Sequence, residues 1–144
     1  MALNFAYKTT GAADYPTRKF KVAINQTFVF GQVVTLVAGL VTAHVDHDTG
    51  ILGVTLEAKT TGGTVTAADV VEVIIPTNCV FTVGISQAVT KKACVDADLG
   101  DLVGFLDSGL EISLDDVTNH SARIVDWDND KKIAYVILQR QLIS

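Results

Sequence analysis

The chain has 144 residues and a net charge of −5, and its 49% hydrophobic residues outweigh its 19% charged residues. That length suits one domain that buries a core without a disulfide or metal ion. We expect no nucleic-acid partner, because such proteins concentrate positive charge and this chain has 11 basic and 16 acidic residues.

We expect no membrane partner either. The most apolar run, Val33 to Ala43, is too short to span a bilayer, and the N-terminus lacks the apolar segment of a secretion signal. The sequence therefore predicts a protein made without export. Cys79 and Cys94 have neither zinc-site nor redox-motif spacing, so we expect both thiols to be free and buried.

The composition favours an all-β fold, because valine, isoleucine and threonine dominate and their branched side chains suit pleated surfaces. We predict a compact β-sandwich or a small β-barrel or β-tulip-like domain, with an extended N-terminal arm. The mean hydropathy of +0.36 is high for a small soluble protein. It indicates either sheets packed on both faces or a surface buried by other subunits.

Residues 1–20 are predicted to form the arm, and residues 21–144 the single β domain. The arm lacks valine and isoleucine, and Gly11 and Pro16 interrupt it. Residues 1–21 carry a net charge of +3, which leaves −8 for the rest of the chain. Such an arm suits docking on an acidic partner, or it is a solvated terminus. Its candidate contact residues are aromatic and basic: Phe5, Tyr7, Tyr15, Arg18, Lys19 and Phe20.

Apolar alternation and turn residues predict the strands that follow. A tight turn is predicted at Ala38-Gly39, a flexible loop at 59–63, and a short helical turn at 113–116. The predicted strands are 20–24, 33–37, 40–45, 51–58, 70–75, 79–85, 102–106, 122–127 and 132–142.

One internal echo joins two of these hairpins. GQVVTLVAGLV begins at Gly31 and GDLVGFLDSGLEI begins at Gly100. Each has a glycine, a polar residue and a branched pair, then a second glycine eight or nine positions after the first. We interpret them as two hairpins of similar shape, and both duplication and coincidence remain open.

The motifs that resemble reactive sites have simpler explanations. The stretch His44 to Asp48 has metal-binding residue types but no partner motif, so we favour a polar loop. Asp126 to Asp130 begins like a calcium loop but lacks its glycine and glutamate, which favours a hairpin turn. Residues 96–130 hold ten acidic residues and one basic residue, which is typical of a solvated face. No catalytic motif is present, so we expect no enzyme, cofactor or metal site.

Four stretches together resemble one protein family. They are Gly31-Gln32-Val33-Val34, the run GILGVTLEA from Gly50, Gly100-Asp101-Leu102-Val103, and the closing hairpin ARIVDWDNDKKIAYVILQRQ from Ala122. Over most of residues 20–142 the chain resembles the capsid decoration, or cement, proteins of tailed bacteriophages.

The resemblance implies a small β-rich virion protein, made in the bacterial cytoplasm, that binds the outside of the phage head. Its implied partners are the major capsid protein and copies of itself, as a homotrimer at three-fold and quasi-three-fold positions. The N-terminal arm would contact the capsid. The alternative is a β-module of a head fibre, tail or baseplate, including one that binds glycans.

Overall fold

The computed structural model describes residues 3–8, 16–43, 50–106, 109–117, 121–139 and 141–142, without the side chains of Phe5, Tyr7 and Lys8. The described residues form β-strands and one short 3₁₀ turn, Asp96–Asp98. The strands are β1 (Asn4–Lys8), β2 (Thr17–Lys21), β3 (Thr27–Phe28), β4 (Val33–Val37), β5 (Leu40–Ala43), β6 (Gly53–Thr55), β7 (Lys59–Thr60), β8 (Val70–Ile74), β9 (Cys79–Ile85), β10 (Leu102–Phe105), β11 (Glu111–Ser113), β12 (Ala122–Asp128) and β13 (Ile133–Leu138).

The last five strands close into a barrel, here called the C-terminal barrel. The strand order is β9-β11-β10-β12-β13, and β13 returns to pair with β9. All pairings are antiparallel except β11 with β9. Strand β1 adds to the free half of β9, where Asn4 pairs with Thr82 and Lys8 with Cys79.

A second five-stranded sheet, here called the N-terminal barrel, has the order β2-β8-β6-β4-β5. The sheet curls until Val22, just after β2, bridges Val41 of β5 in parallel. The N–H of Ala23 donates to the carbonyl of Val41 at 3.0 Å, which joins the two edges. The short pair β3–β7 lies outside this sheet.

The two barrels have the same topology. Their five strands in chain order are β2, β4, β5, β6 and β8 in the first, and β9 to β13 in the second. In each, the first strand pairs with the fifth, the fifth with the fourth, the fourth with the second, and the second with the third. The third strand then meets the first in parallel. The chain is thus a structural repeat of one barrel.

The repeat extends to individual hydrogen bonds. Val33 pairs with Val54 as Leu102 pairs with Arg123. Five backbone hydrogen bonds of the N-terminal barrel have an equivalent in the C-terminal barrel. In the N-terminal barrel they run from N–H to carbonyl as Val22 to Asp69, Ala23 to Val41, Gly31 to Thr55, Leu52 to Val34 and Thr55 to Gln32. Their equivalents in the C-terminal barrel, in the same order, are Ile85 to Lys132, Ser86 to Ile112, Gly100 to Ile124, Ser121 to Val103 and Ile124 to Asp101.

The glycines of the sequence echo have one structural role. Gly31 and Gly100 precede the second strand of each barrel with φ values of 78° and 83°. Gly39 and Gly109 lie in the hairpin after that strand, with φ values of 81° and 68°. Positive φ strains residues that carry a Cβ, so both repeats place glycine at the same two turns. The echo is therefore more than two hairpins of similar shape.

Three strands of the N-terminal barrel, β4, β6 and β8, have buried residues on both faces. Val34 and its neighbours inside the barrel form one hydrophobic cluster with Phe28. Val33, Val54 and Ile74 point outward and join a second cluster with the interior of the C-terminal barrel. Packing on both faces of these strands contributes to the high hydropathy, as the first of the two predicted explanations states.

The two barrels use different surfaces to meet. The N-terminal barrel uses the outward face of β4, β6 and β8, whereas the C-terminal barrel uses the end that carries its β10–β11 hairpin. At that end the Val33 N–H donates to the Gly109 carbonyl at 3.0 Å, and the Leu142 N–H donates to the Ile51 carbonyl at 2.8 Å. The contact is therefore head-to-tail, which a symmetric pair of barrels would not make.

Several predicted elements need correction. Within the predicted arm, residues 4–8 form β1 and residues 17–20 belong to β2, so these parts pair within sheets instead of extending from the domain. The short helical turn predicted at 113–116 is wrong, because Ser113 ends β11 and a plain turn follows. The predicted loop 59–63 contains β7. The strands at 33–37 and 79–85, the Ala38-Gly39 turn and the closing hairpin are confirmed.

Candidate functional site

The predicted contact residues do not form one site. The backbone of Phe5 and Tyr7 lies on β1 against the C-terminal barrel, whereas Arg18, Lys19 and Phe20 lie on β2 of the N-terminal barrel. Tyr15 lies outside the described residues. The predicted residues therefore belong to two strands on different barrels.

Phe20 and Arg18 form a local pair on the inward face of β2. Phe20 is half-buried and packs against the cluster inside the N-terminal barrel. The Arg18 guanidinium lies 5.2 Å from the centroid of the Phe20 ring, a cation–π distance. Phe20 thus contributes to the barrel's own core, while Arg18 stays exposed beside it.

Strand β2 presents an edge of backbone to solvent. The Val22 N–H donates to the Asp69 carbonyl, and the Pro16 carbonyl accepts from the Ile75 N–H. The backbone N–H and carbonyl groups of the even-numbered residues of this segment therefore point toward β8. In an antiparallel ladder the intervening residues then face the other way. Thr17 and Lys19 are exposed, and no described residue pairs with their outward N–H and carbonyl groups.

A second surface lies on the C-terminal barrel. A groove of about 400 Å³ is lined by Gly100, Asp101, Leu102, Val117 and Arg123. Arg123 Nη1 donates to the Gly100 carbonyl at 2.7 Å, which fixes the guanidinium at the groove. Val117 is 60% exposed, and Leu99, next to the groove in sequence, is 61% exposed. They are the two most exposed large apolar side chains in the described part of the chain.

The equivalent surface of the N-terminal barrel is closed. Gly31, Gln32, Val33 and Val54 stand where the groove has Gly100, Asp101, Leu102 and Arg123, and all four are buried. The two faces differ in what packs on them. The C-terminal barrel packs on this face of the N-terminal barrel, whereas no described residue packs on the equivalent face of the C-terminal barrel.

Gln32 shows how the closed copy is completed. The Gln32 side-chain carbonyl accepts the Val29 N–H at 3.1 Å. The Thr55 hydroxyl accepts the Gln32 N–H at 3.0 Å and donates to the Val29 carbonyl at 2.6 Å. A buried polar group is costly unless it is hydrogen-bonded, and these bonds satisfy the buried Gln32 and Thr55 side chains. At the equivalent place in the open copy Asp101 is exposed.

A loop beside the groove, residues 86–99, is held by three polar side chains. The Asp115 carboxylate accepts the N–H groups of Thr90 and Lys91 at 2.7 and 3.0 Å. The Asn129 amide accepts from the Cys94 N–H at 3.0 Å and donates to the Cys94 carbonyl at 2.9 Å. The third is Asp98, which accepts from Lys91 Nζ at 2.5 Å and from Val95 N–H at 2.7 Å.

Neither cysteine is placed as a nucleophile. Cys79 and Cys94 are free and buried, which confirms the prediction. Burial, together with the nearby Asp98 carboxylate, raises the pKa of the Cys94 thiol to about 11. The thiolate is the reactive form of cysteine, and Cys94 is therefore a protonated core residue at neutral pH.

The other predicted motifs fall into two groups. Asp128 Oδ1 accepts the N–H groups of Asp130 and Lys131 in the β12–β13 turn, so the predicted hairpin turn is confirmed. His44 to Asp48 lie outside the described residues. Within the described ranges no group of three or more His, Cys, Asp or Glu side chains is arranged to hold a metal ion. In the same ranges, no helix has the length and apolarity to cross a membrane.

The groove was not predicted from the sequence, although Leu99 and Val117 are apolar residues outside the predicted strands and were available as a signal. Their exposure depends on which of the two equivalent barrel faces is covered by the other barrel, which is a long-range property. Comparison with protein-family models and with curated proteins finds no match to this chain.

Proposed function

We propose that this protein is a structural component of a phage virion that binds the outer surface of the head and stabilises the capsid lattice as a homotrimer. The observation that carries the proposal is the uncovered groove face of the C-terminal barrel. Exposed Val117 lines the groove on this face and exposed Leu99 precedes the groove in sequence, whereas the equivalent face of the N-terminal barrel, at Val33 and Val54, is buried against the C-terminal barrel. A face of this kind is suited to contact with protein.

The head-to-tail contact of the barrels is compatible with a ring of copies, and the number three comes from the family resemblance. In a head-to-tail contact each barrel uses a different surface, so the C-terminal barrel keeps a free face and the N-terminal barrel keeps a free end. If the same contact is repeated between copies, the copies form a closed ring when the rotation between neighbours divides a full turn. Here the unused face is the groove, and the unused end carries the β4–β5 hairpin, where Val37 is 56% exposed. In the proposed trimer the groove of each copy receives this hairpin of the next.

The fold also suits a clamp on a lattice. Residues of both barrels contribute to one hydrophobic cluster, so the two barrels pack against each other through a continuous apolar contact. Copies joined in a ring engage several capsid sites at once, and such avidity strengthens individually weak contacts. The resemblance to capsid decoration proteins directs the proposal toward the head surface.

The test is co-sedimentation of the purified protein with expanded and unexpanded heads of its phage, together with sedimentation velocity of the free protein. The variant is Leu99→Glu with Val117→Glu. The matched control is Ile24→Glu, because Ile24 is exposed at the barrel end opposite the β4–β5 hairpin. We expect a wild-type trimer that saturates expanded heads, a monomeric variant with weakened binding, and a control that behaves as wild type.

Two results would contradict the proposal. A wild-type monomer that binds neither form of head would point to a fibre, tail or baseplate location. A double variant that stays folded, trimeric and fully bound would remove the groove from the interface. Circular dichroism of each variant separates loss of contact from loss of fold.

A further inference from the structure

We propose that the open edge of β2 binds an extended acidic segment of a partner protein, which adds to the N-terminal barrel as a further strand. Such binding does not depend on the proposed capsid role. It comes from a difference between the two repeats at one strand edge.

The same edge is occupied in the C-terminal barrel. Strands β2 and β9 are equivalent, so Lys19 corresponds to Thr82 and Thr17 to Val80. In the C-terminal barrel, β1 pairs with this edge, with Asn4 opposite Thr82 and Tyr7 opposite Val80. The repeat therefore shows that the barrel accepts a sixth strand here without opening.

In the N-terminal barrel the edge has no strand among the described residues. Strand β5 reaches β2 only at its C-terminal side, through the bridge between Val22 and Val41. Among the described residues, none pairs with the outward N–H and carbonyl groups of Thr17 and Lys19. An unpaired strand edge is a template for strand addition, and peptides use such edges for main-chain recognition.

The charge of the strand selects the occupant. Arg18, Lys19 and Lys21 are exposed, and β2 contains no acidic residue. Glu72 on β8, opposite Lys19, offsets only part of this charge. A second copy that paired β2 with β2 would bring basic strands together, and like charges across a strand pair are destabilising. A segment with carboxylates at alternate positions meets attraction instead.

Lysine at a sheet edge also prevents uncontrolled self-pairing. That role and the proposed one are compatible, because the charge that repels a second basic edge attracts an acidic strand. They differ in one measurable respect. Edge protection alone leaves Thr17 and Lys19 unpaired whatever acidic peptide is present, whereas a docking edge protects both amides when such a peptide binds.

The experiment follows amide hydrogen exchange by NMR on the full chain. The probe is a short peptide in which glutamate alternates with threonine and valine, and the control peptide has lysine in place of each glutamate. At a peptide concentration ten times Kd we expect exchange at Thr17 and Lys19 to slow by about tenfold. The equivalent amides of Val80 and Thr82 should already be protected by β1 without peptide.

Lys19→Pro tests the backbone contact. It removes an outward N–H and leaves the N–H groups that pair with β8, and proline is tolerated on an edge strand. We expect an unchanged unfolding midpoint and loss of peptide binding. The matched substitution Thr82→Pro should lower the midpoint, because its N–H faces β1. If Lys19→Pro does not fold, the triple substitution Arg18→Gln, Lys19→Gln and Lys21→Gln tests the charge, and we expect it to weaken binding at least about tenfold.

Four outcomes would overturn the inference. They are no slowing of exchange at Thr17 and Lys19 with the acidic peptide, equal binding of the lysine peptide, full binding by either folded variant, and slowing with protein concentration alone. The last outcome would assign the edge to a second copy. None of these measurements involves phage heads, so a failure here leaves the proposed capsid role to its own test.

Discussion

Val22 and Ile85 occupy the same position in the two barrels. The N–H of each donates at 2.9 Å to the residue before the fifth strand, Asp69 in one barrel and Lys132 in the other. Each also pairs in parallel with the third strand of its barrel, Val22 with Val41 and Ile85 with Ile112. Val22 and Ile85 therefore close their barrels with the same hydrogen bond and the same parallel pairing. Where the two barrels differ, the difference is not needed for barrel closure and indicates a surface with another role.

Gly53 is the position at which we expect substitution to cost most. A Cβ built on Gly53 would lie 2.0 Å from the Ile74 carbonyl oxygen and 2.6 Å from Val73 Cγ1, so β6 and β8 would have to separate. We expect Gly53→Ala to lower the free energy of unfolding by more than about 2 kcal/mol.

Gly62→Ala is the matched control, because nothing lies within 4 Å of a Cβ built there. Its free energy of unfolding should stay within about 0.5 kcal/mol of wild type. Urea denaturation measures both variants. Equal midpoints for the two would contradict the close approach of β6 and β8.

Asn129 should control access to the Cys94 thiol. Its amide makes both hydrogen bonds to the backbone of Cys94, so Asn129→Ala frees the loop that covers the sulfur. We expect a loss of about 1–3 kcal/mol of stability and faster reaction of native Cys94 with a thiol reagent. Asp130→Ala, in the same turn, is the control. Buried Cys79 serves as an internal reference, and acceleration at both thiols would indicate general destabilisation.

The Lys91–Asp98 pair predicts a defined pH dependence. Burial raises the pKa of Asp98, but the hydrogen bonds from Lys91 and Val95 outweigh it and hold this pKa below the ordinary value. The pKa of Lys91 is raised, chiefly by its hydrogen bond to Asp98. The stability from Asp98 is therefore present above about pH 4 and lost as pH falls through its folded pKa.

The contribution of Lys91 is present below about pH 10 and lost as pH rises through its folded pKa. We expect Asp98→Asn to destabilise the protein by about 1–3 kcal/mol near neutral pH, with the difference from wild type shrinking as the pH falls through the folded pKa of Asp98. Asp96→Asn, in the same 3₁₀ turn, is the control. Urea midpoints measured across pH test this, and a difference that persists at low pH would count against the ion pair.

Strand β1 should be part of the stable unit. Leu3 is 1% exposed within the shared cluster, so Leu3→Ala should cost about 2–5 kcal/mol. Asn4→Ala, at the exposed residue that follows Leu3 and begins β1, should cost far less. Deletion of residues 1–8 should lower the unfolding temperature more than either substitution. An unchanged midpoint after the deletion would show that β1 is dispensable.

The sequence indicated the elements better than their arrangement. Strands β4 and β9 could be predicted to the residue, because each is an apolar run bounded by turn residues. Strand β1 could not, since Asn4–Lys8 has no β-branched residue and its pairing with β9 determines its conformation. The closure of each barrel could not be predicted either, because the parallel contact of Val22 with Val41 joins residues whose proximity no local pattern encodes.

The two candidate surfaces, the β2 edge and the groove, were also only partly predictable from the sequence. The basic character of Arg18 and Lys19 is visible in the sequence, whereas the openness of their strand edge depends on where β1 pairs. The groove depends on which of two equivalent faces is covered. A local pattern assigned Phe20 to a partner, but the residue contacts its own barrel, because an isolated aromatic gives no sign of which core it joins.

The long sequence separation of β1 from β9 has a consequence for the order of events during synthesis. Asn4 leaves the ribosome early, yet its partner Thr82 follows 78 residues later. The N-terminal barrel needs nothing beyond β8 to complete its sheet, so we expect it to close while the C-terminal barrel is still being translated. During that interval the first residues of the nascent chain have no β9 to pair with, and the interval is when chaperone capture or mispairing of β1 would occur.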